Sequence, residues 1–104
     1  GKLDNAMHSI IQTGDPGNDL RIALAEQLSL KAAQQRYEAF LRLAPALVAE
    51  SARQMEAANV LAATEVWTAA SALANRAIAL SLDKQSVIFQ MGSLLASLQP
   101  HKAA

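Results

Sequence analysis

Apolar residues recur at helical spacing along residues 46–82, a stretch that contains neither glycine nor proline. The apolar positions are Val48, Met55, Ala62, Val66, Ala69, Leu73, Ala77 and Leu80, and the stripe is widened on one side by Val60, Trp67, Ala74 and Ile78. Charged residues fall on the opposite half, at Glu50, Arg53, Glu56, Glu65 and Arg76. A stripe this wide predicts a helix, or two stacked helices, packed against partners along its length.

The length of this stretch leaves two alternatives open. As one helix, residues 46–82 would extend about 55 Å, which is long for a chain of 104 residues. The stretch therefore either projects from a compact core to meet a partner, or breaks into two helices. We expect the break near Ala63–Thr64, with Thr64 or Glu65 opening the second segment.

Two further helices are predicted before this stretch. Residues 3–13 form a short helix, which ends at the turn residues 14–18 because two glycines and a proline occur there. Asn18 or Asp19 then suits the N-cap of a helix over residues 19–44, with a bend or break near Ser29 as the alternative. Pro45 marks a boundary or a kink, because proline does not fit a helix interior comfortably.

A final helix is predicted over residues 84–98. Its apolar positions follow helical spacing at Ile88, Met91, Leu95 and Leu98. Gly92 lies inside this helix, where glycine costs about 1 kcal/mol relative to alanine. The usual reason for a helical glycine is the close approach of another backbone.

These elements predict an all-α chain, either a compact antiparallel helical bundle or stacked helical hairpins, with about four to five helices. We expect residues 1–104 to form a single helical domain. It would comprise an N-terminal helix and turn (1–18), a main helical core (19–98) and a tail (99–104). Composition agrees, since 52% of residues are hydrophobic but only 4% aromatic, and small side chains favour helices over strands.

The charge balance limits the classes of partner. Nine basic and nine acidic residues give a formal net charge of zero, which argues against a nucleic-acid binder or an anionic-membrane binder. No uninterrupted apolar run approaches the roughly 20 residues of a membrane span. A neutral chain has little electrostatic repulsion between copies, so we expect a protein or peptide partner and consider a homo-oligomer possible.

No catalytic or cofactor-binding pattern occurs in the sequence. The chain has no cysteine, which removes thiolate chemistry and zinc–thiolate sites. His8 and His101 lie near opposite ends of the chain, so a metal site built from both would need the termini to converge. No serine lies in a G-x-S-x-G elbow, and the four glycines form no phosphate-binding loop. We therefore expect no enzymatic activity, no cofactor and no metal.

Two aromatic residues, Tyr37 and Trp67, allow two interpretations. Either they are anchors of a protein interface, or they fill an alanine-rich core as its main bulky side chains. Because aromatic residues are so few, the core interpretation is favoured for both.

Residues 51–104 resemble tetratricopeptide-like helical repeats. Residues 83–104 resemble the first helix and turn of a repeat at Ile88, Met91, Gly92, Leu95, Leu98 and Ala104, and residues 67–82 resemble the second helix at Trp67, Ala70, Ala77 and Leu80. One repeat length earlier, Ala58 and Leu61 correspond to Gly92 and Leu95. The resemblance implies stacked hairpins with a groove for a peptide or protein, lined by Met55, Asn59, Phe89 and Ser93.

Three functions remain open at this point. The leading hypothesis is a non-enzymatic protein–protein interaction module, which binds a partner helix, a peptide or itself through an apolar helix face. The second is a structural subunit of a larger homo-oligomeric assembly, of the secretion, filament or phage type. The third is a ligand- or metal-binding helical bundle.

Overall fold

The computed structural model describes residues 1–100, which form five α-helices and a short 3₁₀ helix and contain no strand. The α-helices are α1 (Lys2–Thr13), α2 (Asp19–Leu28), α3 (Gln34–Arg53), α4 (Ala57–Ala79) and α5 (Lys84–Ala96), and the 3₁₀ helix (Lys31–Ala33) leads into α3. The predicted all-α helical bundle is therefore confirmed. His101 and Ala104, together with the end of the predicted tail, lie outside the described residues.

Helix α5 lies at the centre of the bundle. It packs against α1, α2 and α4 and touches α3, while α3 and α4 make the most extensive helix–helix contact. Four of its side chains are fully buried, at Val87, Ile88, Met91 and Leu95. The other helices contribute further buried side chains to the same cluster, among them Met7, Ile10, Leu28, Phe40 and Val48. Asp83 caps α5, because its carboxylate accepts a hydrogen bond of 2.9 Å from the Ser86 N–H.

The stretch 46–82 breaks, but the predicted break near Ala63–Thr64 is wrong. Thr64 lies within the uninterrupted helix α4, and its hydroxyl donates to the carbonyl of Val60 at 2.8 Å, which leaves the helix intact. The turn instead covers residues 54–56, where Glu56 adopts an extended conformation. Polar residues at 53, 54 and 56 give this segment little to bury. The described helices give no evidence for tetratricopeptide-like repeats.

Helix α3 continues through Pro45, which the sequence marks as a boundary or kink. Proline inside a helix costs about 3 kcal/mol. Apolar burial on both sides of Pro45 offsets this cost, because Phe40, Ala44 and Val48 are fully buried on one face of α3. The predicted single helix over residues 19–44 is not formed, because α2 ends at Leu28. The structure has the break near Ser29 that the sequence offered as the alternative.

Candidate partner-binding face

Helix α4 buries one stripe of small and aliphatic side chains against the rest of the chain. Its residues alternate at spacings of three and four, and we call them the inner seam: Ala63, Val66, Ala70, Leu73 and Ala77. Val66 is half-buried and the other four are buried. Three of the five are alanines, which lets the neighbouring helices approach α4 closely. The inner seam and the adjoining buried Ala74 join α4 to the bundle.

A second stripe lies beside the inner seam, on the same helix, and also alternates at spacings of four and three. We call it the outer seam: Val60, Thr64, Trp67, Ser71, Ala74 and Ile78. Val60, Trp67 and Ile78 are exposed by 38%, 44% and 63%, whereas Ala74 is buried. No residue of the outer seam is charged. This spacing is the one that helices use to pair with other helices.

Helix α4 is longer than the helix at the centre of the bundle. With 23 residues, α4 spans about 35 Å, whereas the 13 residues of α5 span about 20 Å. Residues 57–62, the first six of α4, are all exposed. Leu61, beside the outer seam, is 71% exposed. The amino-terminal part of α4 therefore presents apolar side chains to solvent.

The structure places the four residues implied by the repeat resemblance in two pairs. Met55 is half-buried in the turn between α3 and α4, and Asn59 is exposed in the first turn of α4. Phe89 and Ser93 lie one turn apart on α5, where the Ser93 hydroxyl donates to the Phe89 carbonyl at 3.0 Å. Ser93 also accepts a hydrogen bond from Arg21. None of the four belongs to the outer seam.

The two aromatic residues expected in the core differ in position. Tyr37 is buried, with 4% of its surface exposed. The prediction is wrong for Trp67, which lies in the middle of the outer seam. The sequence does carry a signal for it, because Trp67 follows Val60 by seven residues, in a helix whose charged residues, Glu65 and Arg76, lie on another side.

Asp15 and Arg21 join the turn after α1 to helix α2. The Asp15 carboxylate, 4% exposed, accepts hydrogen bonds from the N–H groups of Leu20 and Arg21 and from Arg21 Nε, at 3.0–3.1 Å. Burial alone would raise the pKa of Asp15, but these hydrogen bonds and the charge of Arg21 outweigh it and hold the pKa below its ordinary value. Asn18 occupies the N-cap position of α2 as expected, but its side chain makes no capping hydrogen bond, and the Asp15 carboxylate accepts from the first N–H groups in its place.

Gly92 is needed because a side chain, and not another backbone, crosses it. A Cβ atom at this position would lie 2.5 Å from Cγ and 2.7 Å from Cδ of Arg21. The Arg21 guanidinium continues to the Ser93 hydroxyl at 3.1 Å and to the carbonyls of Gly14 and Asp15. Arg21 is therefore fixed at its far end and cannot move aside easily.

We expect the effect of Gly92→Ala on the free energy of unfolding to have opposite signs in chains that keep Arg21 and in chains that carry Arg21→Ala. With Arg21 present, the clash should exceed the helix-propensity gain and lower the free energy of unfolding by about 1–2 kcal/mol. In an Arg21→Ala background the clash is absent, so the same substitution should raise that free energy by about 1 kcal/mol. Urea denaturation of the four chains measures both values. A substitution that destabilises both backgrounds equally would show that Arg21 is not what Gly92 accommodates.

A metal centre finds no support in the described residues. No group of three or more His, Cys, Asp or Glu side chains comes together within residues 1–100. His8 and Glu50 line one small cavity of about 60 Å³, and the ring of His8 is hydrogen-bonded to the carbonyl of Asp4. Of the helices described, none is both long and apolar enough to cross a membrane.

No protein-family model, curated protein or solved structure matches this chain. The outer seam and its surroundings are therefore the features of the molecule that bear on function.

Proposed function

We propose that this chain is a protein-interaction module whose outer seam pairs with the outer seam of a second copy of the same chain. The observation that carries the proposal is the charge-free alternation of four and three residues along α4, which is exposed at Val60, Thr64, Trp67 and Ile78. Exposing an apolar helix stripe to water is unfavourable, and packing it against a matching stripe removes that unfavourable free energy.

The outer seam is self-complementary in an antiparallel pair. Its members are placed symmetrically about Ala69, as the pairs Val60 and Ile78, Thr64 and Ala74, and Trp67 and Ser71. A two-fold axis that crosses the outer seam at the height of Ala69, on the face of α4 opposite to that residue, would set each member against the other member of its pair. The large Trp67 ring would then face the small Ser71, and the branched Val60 would face Ile78.

Charge favours a second copy over a strongly charged partner. The outer seam carries no charge, and the chain as a whole is neutral, so two copies approach without net repulsion. The seam is narrow, whereas a dimer of standard size buries about 800 Å² on each side. We therefore expect a weak dimer that exchanges with monomer.

Disulfide trapping tests the pairing directly, because the chain has no cysteine of its own. A mixture of the Val60→Cys and Ile78→Cys chains should form a mixed disulfide under mild oxidation. Each chain alone should cross-link little, since copies of position 60 would lie about 27 Å apart along the helix axis. Efficient cross-linking of Val60→Cys to itself would contradict the antiparallel arrangement.

Sedimentation and fluorescence measure the association itself. Trp67 is the only tryptophan, so its emission should shift to shorter wavelength as protein concentration rises and the dimer buries the ring. Trp67→Asp should abolish the dimer and leave the helical circular dichroism unchanged, whereas Ala69→Asp, on the far side of α4, should retain it. A chain that remains monomeric at about 1 mM would overturn the proposal.

A structural subunit of a larger assembly is the second candidate. It is favoured by exposed apolar side chains outside the outer seam, at Ile22 (44%), Leu30 (60%) and Phe89 (36%). An assembly larger than a dimer needs a second interface of this kind. Sedimentation separates the two candidates. If species larger than a dimer still form in the Trp67→Asp variant, the exposed residues Ile22, Leu30 and Phe89, and not the outer seam, are responsible for assembly.

A further inference from the structure

A groove of about 290 Å³ lies where the start of α3 meets the end of α4 and the turn into α5. Ile78 and Leu82 give it an apolar lining, while Tyr37, Glu38 and Lys84 contribute polar groups. This volume is at the lower end of the range for ligand pockets, so the groove suits a small group. Ile78 also belongs to the outer seam, but the polar groups do not.

The Tyr37 hydroxyl is buried in this region without a hydrogen-bond partner among the described residues. Such a group costs about 1–3 kcal/mol relative to a hydrogen-bonded one. Burial, with the nearby negative charge of Asp83, raises the pKa of Tyr37. The hydroxyl therefore stays protonated at neutral pH and can donate a hydrogen bond to an acceptor brought by a ligand.

Lys84 supplies a second donor beside Tyr37. Its ammonium nitrogen lies 5.3 Å from the centroid of the Tyr37 ring, and within residues 1–100 it takes part in no salt bridge. Two acids lie nearby, and each is engaged elsewhere by a hydrogen bond of 2.9 Å, Glu38 from the Gln34 amide and Asp83 from the Ser86 N–H. Within residues 1–100, neither acid accepts a hydrogen bond from the Tyr37 hydroxyl or forms a salt bridge with Lys84. The groups that still need an acceptor are thus the hydroxyl of Tyr37 and the ammonium of Lys84.

We propose that this groove binds a carboxylate that carries a short apolar chain. The carboxylate accepts hydrogen bonds from Tyr37 and Lys84, and the apolar chain packs against Ile78 and Leu82. A free aliphatic acid and a glutamate side chain of a partner protein share this chemistry. The groove shares only Ile78 with the outer seam, and both hydrogen-bond donors, Tyr37 and Lys84, lie outside that seam.

Titration of the full chain with hexanoate, followed by NMR, tests the site. Resonances of Tyr37, Ile78, Leu82 and Lys84 should shift together, and hexanol, which lacks the carboxylate, should bind at least about tenfold more weakly. Acetyl-Leu-Glu-amide, whose only carboxylate is a side chain, forms the second arm. Tighter binding of hexanoate assigns the site to free acids, and tighter binding of the peptide assigns it to a partner's glutamate.

Three variants separate the roles of the groups. Tyr37→Phe and Lys84→Gln should each weaken hexanoate binding at least about fivefold, while Lys2→Gln, at the start of α1, should leave it unchanged. Tyr37→Phe should not lower stability in urea, because the hydroxyl has no partner to lose. Trp67→Asp, which removes the proposed dimer, should bind hexanoate as the unmodified chain does, so the two proposals fail separately.

Several results would overturn this site. Equal binding of hexanol would show that apolar contact alone is responsible, and tighter binding of hexylammonium would show that Glu38 and Asp83 dominate the groove. A marked loss of stability in Tyr37→Phe would mean that the hydroxyl has a structural water partner instead of a ligand. Absence of localised shifts with either carboxylate would exclude the site altogether.

Discussion

Asp15→Ala should lower the free energy of unfolding by about 3–5 kcal/mol, a large part of the stability of a domain of this size. The substitution removes three hydrogen bonds that the carboxylate accepts from Leu20 and Arg21. It also leaves the half-buried Arg21 guanidinium without its counter-charge, and two N–H groups at the start of α2 without a cap. Urea denaturation followed by circular dichroism measures the loss.

Two matched variants show whether the effect belongs to this carboxylate. Asp19→Ala removes an exposed acid from the first turn of the same helix, and should cost less than about 1 kcal/mol. Asp15→Asn keeps the shape of the side chain but loses its charge, so its effect should fall between the two. Equal losses at positions 15 and 19 would mean that general helix electrostatics, and not the buried cap, stabilise α2.

The Asp15 carboxylate should make the free energy of unfolding depend on pH in the acidic range. Because the pKa of Asp15 is lower in the folded chain than its ordinary value of 3.8, the unfolded chain binds more protons between the two pKa values. The contribution of Asp15 is complete above the unfolded pKa and is lost as pH falls through the folded pKa. The stability difference between the unmodified chain and Asp15→Asn should therefore be constant near neutrality and shrink below about pH 4.

The sequence predicts the all-α fold class well and the ends of the individual helices less well. Apolar spacing and the shortage of aromatic residues are sufficient for the all-α class, because they act locally along each helix. The ends depend on tertiary contacts that periodicity does not contain. α3 passes through Pro45 because buried residues on both sides hold it, and α4 passes through Thr64 because the buried residues Ala63 and Ala70 hold this part of the helix against the bundle.

The candidate face is harder to predict than the fold. Apolar spacing places Val60, Trp67 and Ile78 on one side of a wide stripe, but it does not show which part of that stripe the chain itself covers. That depends on where the turn between α3 and α4 falls and on how far α5 extends. The role of Gly92 is hidden for a similar reason, since Arg21, which crosses it, lies 71 residues earlier in the chain.

Ala70→Leu should destabilise the chain by about 3 kcal/mol, whereas Ala69→Leu should change its stability by less than about 0.5 kcal/mol. The two alanines are neighbours in the middle of α4, and leucine and alanine have similar helix propensities. They differ in position, because Ala70 is fully buried in the inner seam and Ala69 is exposed. Urea denaturation of both variants makes the comparison.

The difference between the two variants measures how tightly α4 is held against the bundle. Ala70 is already fully buried, so three further carbons at this position require α4 to move away from its neighbours or leucine to take a strained rotamer. Ala63 and Ala77, one heptad to either side, are also buried. The packing at both ends of the inner seam therefore resists a shift of α4 that would make room for leucine. If Ala70→Leu were tolerated, the inner seam would be loosely packed, and the outer seam on the same helix would lack the rigid support that antiparallel pairing requires.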